Sequence, residues 1–220
     1  LMQGQFPEAK SVYLSSSSYD VIPNRVSIYK AENPRRKVEI TTDYGEKYLH
    51  FANGFNMTLN EFIKWNRNLD KDVYLNDKTK GLMWNDFKYS KSNREFTHGW
   101  GVYRVNGKRS LGFTGGGSAG LRKFLDRDLT IIFMSNGYKY TPIPDEIINH
   151  VAGIVDKDLV DKDSLLKETL LADFFSSDIT NAIANYKKAR KQNSTANIEG
   201  TMNSIGYTLA RFGKHRDAIE

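Results

Sequence analysis

Apolar residues return at helical spacing in Leu59, Phe62, Ile63 and Leu69, with Asn66 the one polar residue in the stripe. The spacing predicts a helix opening at Thr58, because Thr58 and Glu61 fit a capping box. A second short helix follows Asn76-Asp77 and carries Leu82 and Met83. From Gly99 the period changes to that of strands, with Trp100, Val102 and Arg104 on one face and Tyr103 and Val105 on the other. Asn106-Gly107 is a type I′ hairpin signal, since both turn residues need positive φ. The return strand is Arg109 to Thr114, and a glycine-rich corner leads into Leu121 to Leu125. Asp126-Arg127-Asp128 forms a tight connection to Leu129–Ser135, whose nearly continuous apolar run suits a strand covered on both faces. The expectation is an antiparallel meander of three or four strands.

Pro142 and Pro144 start a further helix, with Ile147, Ile148, Val151, Ile154 and Val155 expected to pack on the sheet. The charged stretch Asp156 to Asp163 is the candidate boundary, dividing the chain into residues 1–157 and 158–220. Beyond it the pattern is helical throughout. Leu165, Leu166, Leu170 and Phe174 form one stripe, and Ile179, Ala182, Ile183, Tyr186 and Ala189 the next, after Ser177-Asp178 as a cap. Upstream, Val38–Thr42 and Tyr48–Phe51 read as short strands. The fold class expected is α+β, an antiparallel sheet with packed helices, followed by an all-α extension.

Composition narrows the chemistry. The 220 residues hold no cysteine, which excludes disulfides, thiol catalysis and thiolate metal sites. The net charge of +6 comes from 32 basic and 26 acidic residues that are largely interspersed. The basic runs Arg35-Arg36-Lys37 and Lys187 to Lys191 lack interleaved aromatics, so they read as solvated faces and no nucleic-acid partner is expected. No apolar run approaches a membrane span, and no basic-then-apolar leader opens the chain. Both ends read as cut. His50, His98, His150 and His215 show no metal spacing, and neither metal nor cofactor is expected. Gly115 to Gly117 lacks the Gly-Lys-Ser/Thr of a phosphate loop. Trp65, Trp84 and Trp100 are expected to fill core. His98, Asp126, Asp128 and Ser135 assemble no triad by spacing.

Three segments carry a family likeness. Asn53-Gly54-Phe55-Asn56-Met57-Thr58-Leu59-Asn60-Glu61-Phe62 is similar to a "GG-x-x-S/T-x-x-D/E-L" turn into a helix, and His98-Gly99-Trp100-Gly101-Val102 to a "YGLGW" strand. Gly112-Phe113-Thr114-Gly115-Gly116-Gly117-Ser118-Ala119-Gly120 is similar to a "GH-S/T-GG-x-x-G" motif. Val21-Ile22-Pro23-Asn24-Arg25-Val26 adds a "V-P-N-R-A"-like segment. In this order they resemble the C-terminal part of the serine β-lactamase/DD-peptidase-like hydrolases, which include class C β-lactamases, over roughly residues 15 to 155. The resemblance implies a partial β-lactamase/transpeptidase-like fold and an acyl-enzyme hydrolase acting on a peptide, ester or β-lactam. It also implies a periplasmic or extracellular setting. Thr114, Gly115 and Gly116 would line the cleft, with Phe113 beside them and Gly117 and Ser118 offering main-chain amides to an oxyanion.

Two departures bear on activity. Phe113 stands where the family carries Lys or His, removing a charged partner. The family's Ser-x-x-Lys nucleophile and Tyr-x-Asn loop precede everything matched above, and neither occurs in that order here. Ser164-Leu165-Leu166-Lys167 comes after the glycine motif in a charged helix, and Tyr74-Leu75-Asn76 sits on a helix connector, so both read as coincidence. The catalytic nucleophile is therefore unassigned within the chain. Residues Asn203 to Ile219 resemble part of a tetratricopeptide repeat, with Gly206 at a close helix contact, Gly213 at the turn and Ala218 at the next contact. Two readings follow: a hydrolase wall that lacks its nucleophile, or a non-catalytic derivative that binds a peptide or protein partner through the cleft and the helical repeats. An incomplete sheet also carries an open edge, through which the chain is expected to form a homodimer.

Overall fold

The computed structural model describes residues 12–14, 21–33, 37–41, 55–88, 90–91, 95–115, 119–137, 144–176, 178–192, 199–211 and 213–219. The predicted strand at Tyr48–Phe51 lies outside the described residues, as do candidate residues Gly116, Gly117 and Ser118.

The chain is mixed α and β around an antiparallel sheet. Two small ribbons come first: β1 (Tyr13–Leu14) pairs with β4 (Phe55–Asn56), and β2 (Ile28–Asn33) with β3 (Lys37–Thr41). Helices α1 (Leu59–Asp70) and α2 (Asp77–Trp84) follow. The main sheet has the order β10-β9-β8-β7-β6-β5. Its long members are β7 (Gly101–Val105), β8 (Lys108–Gly115), β9 (Ala119–Phe124) and β10 (Leu129–Met134), with two-residue strands β5 (Phe87–Lys88) and β6 (Glu95–Phe96) at one side. Helix α3 (Pro144–Val155) comes next, then α4 (Lys162–Ser176), α5 (Ile179–Gln192), α6 (Glu199–Arg211) and α7 (His215–Ile219).

Local chemistry accounts for most of these boundaries. The amide of Glu61 donates to Thr58 Oγ1 at 3.3 Å, closing the first turn of α1. The Glu61 carboxylate instead pairs with Lys64 at 3.2 Å. Asn76 caps α2 through the Thr79 amide at 2.9 Å. Asn106 and Gly107 have φ of 48° and 74°, as the hairpin between β7 and β8 requires. A single 3₁₀ turn at Leu125–Arg127, closed by Asp128 in the left-handed region, joins β9 to β10.

The sheet is covered on both faces. On one side Phe62, Leu69, Trp100, Leu111 and Leu121 form a buried cluster, joined by Trp65, Trp84 and Ile132. On the other, Val105, Phe124, Ile131, Ile148, Ala152 and Leu159 form a second. Adjacent Ile131 and Ile132 face opposite layers, which is why β10 reads as one apolar run. A third cluster, Leu170, Phe174, Ala182, Ile205 and Leu209, belongs to the helices after Lys162.

Ile148 packs on the sheet as expected, but the rest of the buried side of α3 differs. Ile148 and Ala152 are buried with Pro144, whereas Val151, Ile154 and Val155 are exposed. A Cβ on Gly153 would stand 3.2 Å from Val160 Cα, so small residues bring the returning chain against the helix. Close approach, not bulk, selects the buried face here.

Candidate functional site

Strand β8 carries the glycine motif, and its end outruns its neighbour. β7 pairs with β8 from Val105↔Lys108 to Gly101↔Gly112, while β9 continues alongside to Gly115↔Ala119. Phe113, Thr114 and Gly115 therefore have a strand on the β9 side and, among the described residues, none on the β7 side. Two glycines permit this packing. A Cβ on Gly112 would fall 2.0 Å from the Leu121 carbonyl oxygen, and one on Gly120 would fall 2.8 Å from Ile148 Cδ1 and 2.9 Å from Thr114 Cγ2. Among the described residues a Cβ on Gly115 would meet nothing within 4 Å, and Gly115 is exposed.

Phe113 and Thr114 point to opposite faces, as neighbours in a strand must. The Phe113 ring, 38% exposed as a residue, stacks on Phe62 at 6.1 Å between centroids and meets Trp100 edge-on at 5.7 Å. Trp65 and Trp84 extend the group, packing on Trp100 at 6.5 and 5.9 Å. Phe113 thus forms the exposed rim of an aromatic cluster.

Thr114 enters a polar network on the α3 face. Its hydroxyl donates to Asp145 Oδ2 at 3.2 Å. Asp145 also pairs with Arg122, whose residue is 1% exposed, and Arg122 donates to Asn149 Oδ1 at 3.2 Å. The Arg122 guanidinium carbon lies 3.5 Å from the Tyr103 ring centroid. Burial, then the Asp145 charge, push the Tyr103 phenol above its ordinary range. Burial pulls Arg122 down, against the opposing pull of Asp145 and Tyr103.

No local pattern singles out Tyr103, Arg122 and Asp145, nor a second buried cation, Lys123. Lys123 Nζ donates to Asn66 Oδ1 at 2.7 Å, Asp70 Oδ2 at 3.0 Å and Thr130 Oγ1 at 3.1 Å. The signals available were Asn66 interrupting the apolar stripe of α1 and consecutive cations inside a strand. Beside this group an open depression of about 500 Å³ is lined by Leu59, Ile63, Asn66, Asp70, Thr130 and Ile132. Of the described candidates, neither Phe113 nor Thr114 nor Gly115 borders it.

The remaining strings have structural occupations. Tyr74 packs on the α1-side cluster and accepts from Asn68 Nδ2 at 3.0 Å, while Asn76 is a helix cap. Ser164 and Lys167 lie on α4. His98 is exposed, its ring edge-on to Phe87 at 6.2 Å. Among the described residues no three His, Asp or Glu side chains converge to hold a metal, and no helix is long and apolar enough to cross a membrane. Compared with models of protein families, with curated proteins and with solved structures, the chain matches none.

Proposed function

We propose that this chain supplies one wall of a groove for an extended acyl or peptide chain, on a partial serine β-lactamase/transpeptidase-like scaffold whose nucleophile lies outside these 220 residues. One observation carries the reading: the last three residues of β8 run past β7 as a strand edge, with Gly115 open to solvent. Such an edge binds a ligand by main-chain hydrogen bonds, as an added strand does. The substrate classes are a peptide, an ester or a β-lactam. Incubation of the chain with a fluorophosphonate or a fluorescent β-lactam should leave every serine unlabelled. Stoichiometric labelling of any serine here contradicts the proposal.

The second reading is a non-catalytic derivative that binds peptide or protein, and Phe113 favours it. An aromatic ring stacked on Phe62 and edge-on to Trp100 provides no charge or proton at the reacting centre. The helical extension supports a partner role by its close packing. A Cβ on Gly206 would stand 3.3 Å from the Ala218 carbonyl oxygen, and Gly213 turns between α6 and α7 with φ of +73°. Fluorophosphonate labelling of the natural full-length protein separates the readings: a labelled serine upstream of Leu1 supports the hydrolase, and peptide binding without labelling supports the derivative.

A further inference from the structure

On the reading just given, we infer that the Phe113–Gly115 edge selects extended peptides or esters that are neutral or cationic beside Thr114, and rejects carboxylates, β-lactams among them. The Thr114 hydroxyl has one proton, and it is directed to Asp145. Towards a ligand the oxygen therefore offers only lone pairs, and the group it meets must be a donor such as an amide or an ammonium. Behind it the charge reaching the surface is negative: the Asp145 side chain is 27% exposed and that of its partner Arg122 is 1% exposed. Arg122 turns its two terminal nitrogens to Asn149 and Asp145 and its face to Tyr103, and its Nε is buried, so it offers nothing to an incoming anion. On the opposite face of the strand stands the Phe113 ring, which carries no charge to compensate a ligand carboxylate.

The experiment titrates the 220-residue chain with three probes: N-acetyl-trialanine amide, N-acetyl-trialanine with a free carboxylate, and benzylpenicillin. Binding is followed by calorimetry and by the amide NMR shifts of Phe113 and Gly115. The amide probe should move both resonances and bind about tenfold more tightly than either carboxylate, because a like charge is placed beside Asp145. Equal or tighter carboxylate binding that moves the same resonances overturns the selectivity and leaves the groove standing. Failure of all three probes to move Gly115 overturns the groove and the selectivity together. Phe113→Lys should turn the preference towards the carboxylates, and an unchanged preference in that variant overturns the inference. Thr114→Val should weaken the amide probe and Thr114→Ser restore it; a valine variant that binds as the parent does removes Thr114 from recognition.

Discussion

Arg122 and Tyr103 meet face to ring on the α3 side of the sheet, at 3.5 Å from guanidinium carbon to centroid. Residues without side chains make that contact available. A Cβ on Gly101 would lie 3.0 Å from Tyr103 Cε2, so the ring crosses the sheet over bare backbone. Gly112 is the cross-strand partner of both Gly101 and Arg122. The glycines of this motif serve the packing of the sheet before they serve any ligand, and the two purposes separate along the strand.

Gly112→Ala and Gly115→Ala make that separation measurable. The alanine methyl at 112 would meet the Leu121 carbonyl oxygen at 2.0 Å, which forces β8 and β9 apart. The expected loss is more than about 2 kcal/mol, because backbone cannot yield as a flexible side chain does. At 115 nothing among the described residues stands within 4 Å, and the expected change is under about 0.5 kcal/mol. Urea unfolding midpoints of the two variants check this; equal midpoints refute it.

Asp145→Asn leaves the buried Arg122 charge without its counter-charge. Removing one member of such a pair costs about 3 kcal/mol, largely the penalty of an uncompensated buried ion. Adding Arg122→Met should recover most of that loss, since the charge then goes as well. The four stabilities of the double-mutant cycle provide the test. A double variant as unstable as Asp145→Asn alone would show that the network is held by something other than this pair.

How much of this was legible in the chain depends on how far apart the partners lie in sequence. The β7–β8 hairpin was readable because Asn106 and Gly107 encode their own positive φ. Helix α1 was readable because Thr58 and Glu61 are one turn apart. The polar network was not, because Thr114 and Asp145 are separated by 31 positions and Lys123 and Asn66 by 57. Nothing local marks a buried cation in a strand until its partners are known. The buried face of α3 was read only in part, for a related reason: periodicity weighs bulky residues such as Val151 and Ile154, whereas Ile148 is joined in the core by Ala152, and Gly153 lets Val160 approach.

Lys123→Ala should be among the most damaging single changes on the α1 side. Its side chain is 3% exposed and links β9 to Asn66 and Asp70 of α1 and Thr130 of β10. Removal leaves the Asn66 carbonyl without that donor and opens a cavity, at a cost of about 3 kcal/mol. Lys123→Arg should not restore stability, because a planar fork does not fit three acceptors placed around a compact ammonium. Thermal melts of both variants decide the matter, and an arginine variant as stable as the parent would refute the geometry assigned to the group.

Asp156 gives a pH dependence whose sign follows from its partners. The Asp158 amide donates to its carboxylate at 2.9 Å and Arg127 pairs with it, and together they hold it below the ordinary value of 3.8. Its folded-state value lies below the unfolded one, so its contribution is fully present above the ordinary carboxylate range. That contribution is lost as pH falls through the lowered folded value. Asp156→Asn should therefore be less stable than the parent at neutral pH. The gap should hold down to about pH 5 and close progressively in more acid solution, as the parent's own carboxylate takes up its proton. Urea midpoints of both proteins across that range test the sign. A gap that widens on acidification would mean that Asp156 is charged at a net cost to the fold, with Arg127 failing to compensate it.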